Sequence, residues 1–126
     1  IMEVIIAPKP TIMIYHHPNV SVETIQDLLF GIEEEGIPYS LEARAASDDI
    51  LLMADEASHA SALSVGVGCS ADTLVLSYKN LPPHQFIYRL RNYKQAKQTM
   101  RALGANAARL VKGNPFKTDP GLEVAF

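Results

Sequence analysis

The chain has 126 residues, of which 48% are hydrophobic and 20% charged, and its formal net charge at pH 7 is −3. This length suits one domain that buries roughly two-thirds of the extended chain's surface, and the composition excludes a disordered chain. The only cysteine, Cys69, leaves no intrachain disulfide and no multi-cysteine zinc site. No apolar run approaches the roughly 20 residues needed to span a bilayer, so we expect a soluble, cytoplasmic domain.

The first half of the chain predicts two β-α units. Residues 11–15 are short, β-branched and aromatic, which is typical of a buried strand. Ser21 is a suitable N-cap for the next helix, and Gly36 and Pro38 predict its end. Its apolar residues recur at helical spacing: Val22, Ile25, Leu29 and Ile32.

The second unit and the C-terminal half continue the alternation. Residues 39–43 predict a strand, and Ser47 can cap a helix that begins at Asp48 and Asp49 and ends near His59. Residues 62–69 and 73–78 predict two strands joined too closely for a parallel crossover, hence an antiparallel hairpin. A fifth strand over 86–90 and a helix over 93–112 follow. The order predicts an α/β domain with a mixed sheet and helices on both faces.

Three adjacent carboxylates, Glu33, Glu34 and Glu35, occupy the predicted last turn of the first helix. The helix dipole is negative there, so each acid costs about 0.3–1 kcal/mol relative to a well-placed base. A cation or a basic partner would neutralise the cluster. The alternative is a solvated helix end with no ligand.

Other candidate sites are weaker. His16 and His17 could share a metal, but no acid or cysteine lies beside them at ligand spacing, which favours a structural or exposed role. Cys69 lacks a local histidine or aspartate and is typical of a packed thiol. No nucleophile elbow, phosphate-binding loop or dinucleotide fingerprint is present, so we predict no active site.

Between residues 73 and 118 the chain has nine basic residues and no acid. This predicts a bipolar molecule with a basic C-terminal third. Lys94, Lys97 and Arg101 share one face of the predicted last helix. That face is either simply solvated, a dock for an acidic protein, or a nucleic-acid surface, and the pI of 5.8 argues against nucleic acid.

Four segments together resemble the small subunit of diol/glycerol dehydratase reactivase. They are Phe30 to Tyr39 (FGIEEEGIPY), Leu63 to Gly68 (LSVGVG), Tyr78 to Pro82 (YKNLP) and Leu103 to Phe116 (LGANAARLVKGNPF). The first and last are long and specific, whereas the middle two would be weak alone. The resemblance covers one domain over residues 11–117, which leaves an N-terminal extension, 1–10, and a C-terminal tail, 118–126, with little signal of structure.

The resemblance implies a three-layer α/β/α fold with a mostly parallel five-stranded sheet containing one antiparallel strand, like the medium subunit of the dehydratase. It implies a non-catalytic partner of a large ATPase subunit that binds ATP or ADP. The two together act as a chaperone on adenosylcobalamin-dependent diol or glycerol dehydratase, where the small subunit exchanges with the medium one and damaged cobalamin leaves. A cytoplasmic location, with or without a bacterial microcompartment, is also implied.

The resemblance also implies site residues. A glutamate of the acidic helix end helps hold Mg²⁺ at the interface with the large subunit, and Glu34 matches that position, with Glu33 and Glu35 as alternatives. Lys79, Asn80 and Asn106 are expected on contact surfaces. Two other functions stay open: the dehydratase medium subunit itself, which is considerably longer, and a nucleic-acid module, because anticodon-binding domains share this layered topology.

Overall fold

The computed structural model describes residues 10–45, 49–82 and 84–125. Within these ranges no helix is long and apolar enough to cross a membrane. The elements in chain order are β1 (Ile12–His16), a 3-10 turn (Val22–Ile25), α1 (Gln26–Glu34), β2 (Tyr39–Ala43), α2 (Ile50–Ala60), β3 (Val65–Cys69), β4 (Thr73–Tyr78), β5 (Tyr88–Arg91), a second 3-10 turn (Tyr93–Gln95), α3 (Lys97–Lys112) and β6 (Glu123–Val124).

The strands form one mixed sheet in the order β2-β1-β3-β4-β5-β6. β1 lies parallel to both β2 and β3, so that Ile14 sits between Leu41 and Val67. β3, β4, β5 and β6 then pair antiparallel in succession. Four strands therefore run in one direction and only β4 and β6 in the other. The predicted α/β class and the β3-β4 hairpin are confirmed.

The prediction of five strands, one of them antiparallel, is corrected by a sixth strand, β6, which lies in the segment assigned to a tail and is a second antiparallel strand. Glu123 and Val124 pair with Arg89 and Tyr88 at the edge of β5. A two-residue strand has no periodicity to detect, and its position depends on a distant partner. Arg89 donates to Glu123 Oε2 from both Nε, at 2.9 Å, and Nη2, at 2.6 Å, across 34 residues of sequence.

The two faces of the sheet carry different layers. α1 and α3 pack on each other and cover the inward side chains of alternate strand positions, such as Ile12, Val67 and Leu76. α2 covers the opposite face, where Tyr15, Met53 and Ala57 form a smaller cluster. We call these the α1–α3 face and the α2 face. They complete the predicted three layers.

Several local predictions differ from the structure. Residues 62–64 form a turn instead of the start of β3, with Ser64 at φ 64°, and Val22 is exposed instead of joining the apolar stripe of α1. Ser21 is at the N-cap of the first turn, but its hydroxyl contacts Thr24 Oγ1 instead of a backbone amide. Ser47 and Asp48 lie outside the described residues, and Asp49 caps α2 by accepting from the Leu52 amide at 3.0 Å.

Candidate functional site

The acidic end, which we define as Glu33, Glu34 and Glu35, lies where α1 stops. Glu35 is the C-cap, and Gly36 takes the left-handed conformation at φ 78°, as predicted from its position before Pro38. Successive helical residues point about 100° apart. The three carboxylates therefore face three different neighbours, and each has its own chemistry.

Glu35 is paired inside the chain. Lys112 Nζ lies 2.8 Å from Glu35 Oε1 and 3.0 Å from the Glu35 main-chain oxygen, and Arg109 Nη2 donates to Oε2 at 3.4 Å. The side chain of Glu35 is only 15% exposed. The hydrogen bond from Lys112, helped by Arg109 and opposed by partial burial, lowers the pKa of Glu35. Bases from the end of α3 thus offset part of the unfavourable charge at the end of α1.

Glu34 faces outward beside α3. Arg101 contacts Glu34 Oε1 with both Nε and Nη2, and the same guanidinium lies 5.6 Å from the centre of the Phe30 ring. Both side chains of the ion pair are about half exposed, 43% for Glu34 and 48% for Arg101. Phe30 is itself 38% exposed. The three side chains form a mixed aromatic and charged surface, the Glu34 patch.

Glu33 faces β2. Its Oε1 accepts a hydrogen bond from the Tyr39 hydroxyl at 3.0 Å, and the carboxylate is otherwise exposed to solvent. Burial, and then this bond to a carboxylate, raise the pKa of Tyr39. Glu33 therefore has a neutral partner, whereas Glu34 and Glu35 have cationic ones.

The acidic end suits one ligand to a hard cation but does not form a complete metal site. Carboxylate oxygens are the donors that Mg²⁺ prefers, and Mg²⁺ commonly takes one or two of them from a protein. Across residues 10–45, 49–82 and 84–125, no group of three or more His, Cys, Asp or Glu side chains could hold a metal. The remaining ligands must come from water or from another molecule.

His16 and His17 make local contacts at the end of β1. His16 Nδ1 lies 2.9 Å from the His17 carbonyl, and the His17 amide donates to the Cys69 carbonyl at 3.0 Å. Both residues are half-buried at the end of β1. Cys69 is fully buried in β3, where burial raises the pKa of its thiol. The prediction of a packed thiol is confirmed.

Lys79 and Asn80 lie on the surface, in the turn after β4. The Lys79 amide donates to the Ser64 carbonyl at 2.9 Å, and the Lys79 side chain is exposed. Asn80 Nδ2 lies 3.4 Å from the Tyr78 hydroxyl. Both side chains are accessible, so their predicted role in partner binding stays a prediction.

The surface position predicted for Asn106 is corrected. Its side chain is fully buried in α3, where Oδ1 accepts from the Lys117 amide at 2.6 Å and Nδ2 donates to the Lys117 carbonyl at 2.9 Å. This two-bond pairing fixes the chain after α3. Asn106 lies in a run rich in alanine, and the sequence does not reveal that another segment folds over it.

The predicted bipolar charge distribution is also corrected, because acids and bases from distant parts of the chain meet. Five of the nine bases between residues 73 and 118 form ion pairs with acids of this chain: Arg89 and Arg91 with Glu123, Arg101 with Glu34, and Arg109 and Lys112 with Glu35. These pairings weaken the case for a nucleic-acid surface.

Phe30 and Arg101 are the site residues that sequence reasoning missed. Phe30 could have been found, since it precedes Glu34 by one helical turn.

The chain is similar in sequence to known proteins over most of its length. The family described as dehydratase medium subunit matches residues 9–117. A propanediol dehydratase-reactivating factor small subunit from Citrobacter freundii is 47% identical over 91 residues, covering 72% of this chain and 77% of that protein. A diol dehydratase-reactivating factor small subunit from Klebsiella michiganensis is 44% identical over 92 residues, covering 73% and 72%.

Solved structures extend the similarity to the whole fold. A diol dehydratase-reactivating factor complexed with ADP and Mg²⁺ contains a chain that superimposes with a TM-score of 0.81 at 39% identity, covering 88% of this chain and 100% of that one. A glycerol dehydratase reactivase chain gives a TM-score of 0.80 at 27% identity, covering 86% and 97%.

Proposed function

Because the chain belongs to the dehydratase medium subunit family and, within it, to the small subunits of dehydratase-reactivating factors, we propose that it is the binding subunit of a reactivating chaperone. Its direct partner is a large subunit that hydrolyses ATP. The client is an adenosylcobalamin-dependent dehydratase whose cofactor has lost its adenosyl group. In this proposal the chain takes the place of the dehydratase medium subunit, and the damaged cobalamin leaves.

The structural match to a reactivating factor carries the proposal, because it includes the whole of the matched chain. Family membership also gives subunit exchange a physical basis. If this chain and the dehydratase medium subunit share one fold, they can compete for one binding surface. The chain itself performs no chemistry in this proposal, and ATP or ADP stays on the large subunit.

We assign the client as a diol dehydratase rather than a glycerol dehydratase. The small subunits named for propanediol or diol dehydratase are 44–47% identical to this chain, whereas one named as a probable glycerol dehydratase factor is 30% identical. We place the complex in the cytoplasm, with access to a microcompartment where the dehydratase occupies one. Reactivation of purified, inactivated dehydratases of both kinds by the two-subunit factor would test the client assignment.

We assign Glu34 as the one ligand that this chain gives to a Mg²⁺ ion shared with the large subunit. The carboxylate is half exposed, lies at a helix end and belongs to the long segment that carries the family resemblance. Glu35 is a poorer ligand because two bases already hold it. When bound, Mg²⁺ would join two oxygen-rich surfaces and offset the negative end of α1.

Complex formation is the direct test. The chain is co-expressed with the large reactivase subunit of the same genome and chromatographed by size with Mg²⁺ and ADP. We expect the two to elute together in a fixed stoichiometry. Separate elution in every nucleotide state and at low salt would contradict the proposal and would reopen the medium-subunit and nucleic-acid alternatives.

A matched pair of variants tests the metal assignment. Glu34→Gln should weaken the Mg²⁺-dependent part of the affinity for the large subunit, measured by calorimetry with and without Mg²⁺. Glu33→Gln removes the same charge one residue away and should leave that part unchanged. Equal effects of the two variants would show a general electrostatic contribution instead of a ligand at Glu34.

A further inference from the structure

The contact between Glu34 and Arg101 joins two helices across 67 residues of sequence. Two nitrogens of the guanidinium reach the same carboxylate oxygen, Glu34 Oε1, while the guanidinium plane lies near the Phe30 ring. Cation–π contact with an exposed aromatic ring adds a weak attraction. Arg101 is therefore held at the Glu34 patch by two separate attractions.

Glu34 and Glu35 are held in different ways. Glu35 is mostly covered, two basic side chains hold its carboxylate, and one of them also bonds its main-chain oxygen. Glu34 has one cationic partner, and both members of that pair are about half exposed to solvent. Exposed ion pairs are weak because solvent screens them, so the Glu34–Arg101 pair can open readily.

A divalent cation and a guanidinium compete at this carboxylate. The guanidinium occupies Oε1, and a metal ion bound at either carboxylate oxygen would lie close to it, where the two positive charges repel. Phe30 gives the released guanidinium a nearby position, because its side chain lies beside the pair and is partly exposed. Opening therefore requires a change of rotamer at Arg101, without movement of either helix.

We propose that Arg101 is an internal competitor for Glu34. It occupies the carboxylate in the free chain and leaves when the divalent cation shared with the large subunit binds. The inference rests on the proposed function, since it concerns the same carboxylate. Its consequence is that the free chain has little affinity for Mg²⁺ by itself, and that cation binding is coupled to assembly.

The test is a Mg²⁺ titration of complex formation between the full-length chain and the large subunit at fixed ADP. We expect Arg101→Gln to lower the half-saturating Mg²⁺ concentration by about two- to five-fold, the range corresponding to an exposed ion pair. Arg101→Lys keeps the charge but loses the planar fork, and should give a smaller decrease. Lys97→Gln removes the same charge one turn earlier in α3 and is the control for general electrostatics.

The double variant separates this inference from the proposed function. In a Glu34→Gln background, Arg101→Gln should produce no further shift, because the residue it competes for is gone. An unchanged or raised half-saturating concentration for Arg101→Gln, with Glu34→Gln still weakening the Mg²⁺ response, would overturn only the competitor role. If Glu34→Gln left the Mg²⁺ response unchanged, the ligand assignment would be overturned as well. Thermal unfolding of each free variant confirms that the fold is intact.

Discussion

The two faces of the sheet are packed by different kinds of contact. On the α1–α3 face, large apolar side chains from five strands and two helices fill a continuous core, and ion pairs line its outer rim. On the α2 face, Tyr15 of β1 packs with Met53 and Ala57 in a smaller cluster, and the helix backbone approaches Gly66 and Gly68 of β3 directly. The first arrangement leaves charged side chains and Phe30 on the outside of the helices, where a partner can reach them.

The two faces therefore differ in which kind of contact holds them together. The α2 face depends on close backbone contact at Gly66 and Gly68, so it tolerates few changes of volume. On the α1–α3 face, ion pairs such as Glu34 with Arg101 lie at the surface, where both side chains are about half exposed.

The largest expected effect breaks the α2 face. A Cβ added at Gly66 would lie 2.1 Å from the Ser58 amide nitrogen, which is backbone and cannot move aside alone. We expect Gly66→Ala to destabilise the chain by about 3 kcal/mol, the upper range of overpacking costs. Urea unfolding followed by circular dichroism measures it.

Gly36→Ala is the control for this prediction. No atom lies within 4 Å of its added Cβ, and the change acts only through the left-handed backbone at φ 78°, for a cost of about 1 kcal/mol. If the two alanine variants were equally stable, α2 would be able to move away from the sheet, and the close-contact account of this face would be wrong.

The glycines also show how far sequence reasoning reaches. Gly36 predicted the end of the first helix, because that effect is local to its residue. The strands over 39–43 and 73–78 are predicted to the residue for the same reason. What approaches Gly66 could not be predicted, since Ser58 reaches it only through the folding of the whole sheet.

The next effect tests the α1–α3 side, where Asn106 holds the chain after α3. Asn106 is fully buried, and Asn106→Ala would remove two part-buried hydrogen bonds from the amide and carbonyl of Lys117. We expect a loss of about 1–3 kcal/mol in unfolding free energy, with faster amide exchange from residue 115 onward.

The surface pair Lys79 and Asn80 supplies the contrast for Asn106. Alanine at either position should change stability by about 0.5 kcal/mol or less, as is usual for exposed residues. If Asn106→Ala instead kept full stability and reduced only the affinity for the large subunit, the direct partner role predicted from sequence would be restored.

A smaller effect concerns the ion pairs at the rim of the same face. The pKa of Glu35 is lowered below its usual 4.5 by Lys112 and Arg109, so the folded state binds this proton less readily than the unfolded state. Its contribution to stability is therefore present above about pH 4.5 and is lost as the pH falls through the lowered value. Glu35→Gln should flatten the decline of stability between pH 5 and the acid limit, measured by thermal unfolding across about pH 3–7.

Glu33→Gln is the matched control for the pH experiment, because Glu33 has only the Tyr39 hydroxyl as a described partner. A parallel flattening in both variants would mean that overall charge, and not the contact with α3, sets the acid sensitivity. The sequence indicated an unfavourable cluster of carboxylates here but could not show which bases neutralise it. The neutralising bases lie about 70 residues further along the chain, and no local pattern relates α1 to α3.

The smallest expected effect returns to the α2 face, at Ser77. Ser77 is paired with Gly66 across the β3-β4 ladder, so its side chain shares the face that α2 covers. Its hydroxyl is fully buried and has no hydrogen-bond partner among the described residues. A buried hydroxyl without a partner loses its solvation and gains nothing in return. Ser77→Ala should therefore leave the unfolding free energy unchanged or raise it by about 1 kcal/mol, whereas most substitutions of buried polar residues lower it.

A clear loss of unfolding free energy in urea would show that the hydroxyl has a partner in solution, such as a water molecule between α2 and the sheet. The α2 face would then depend on more than close contact.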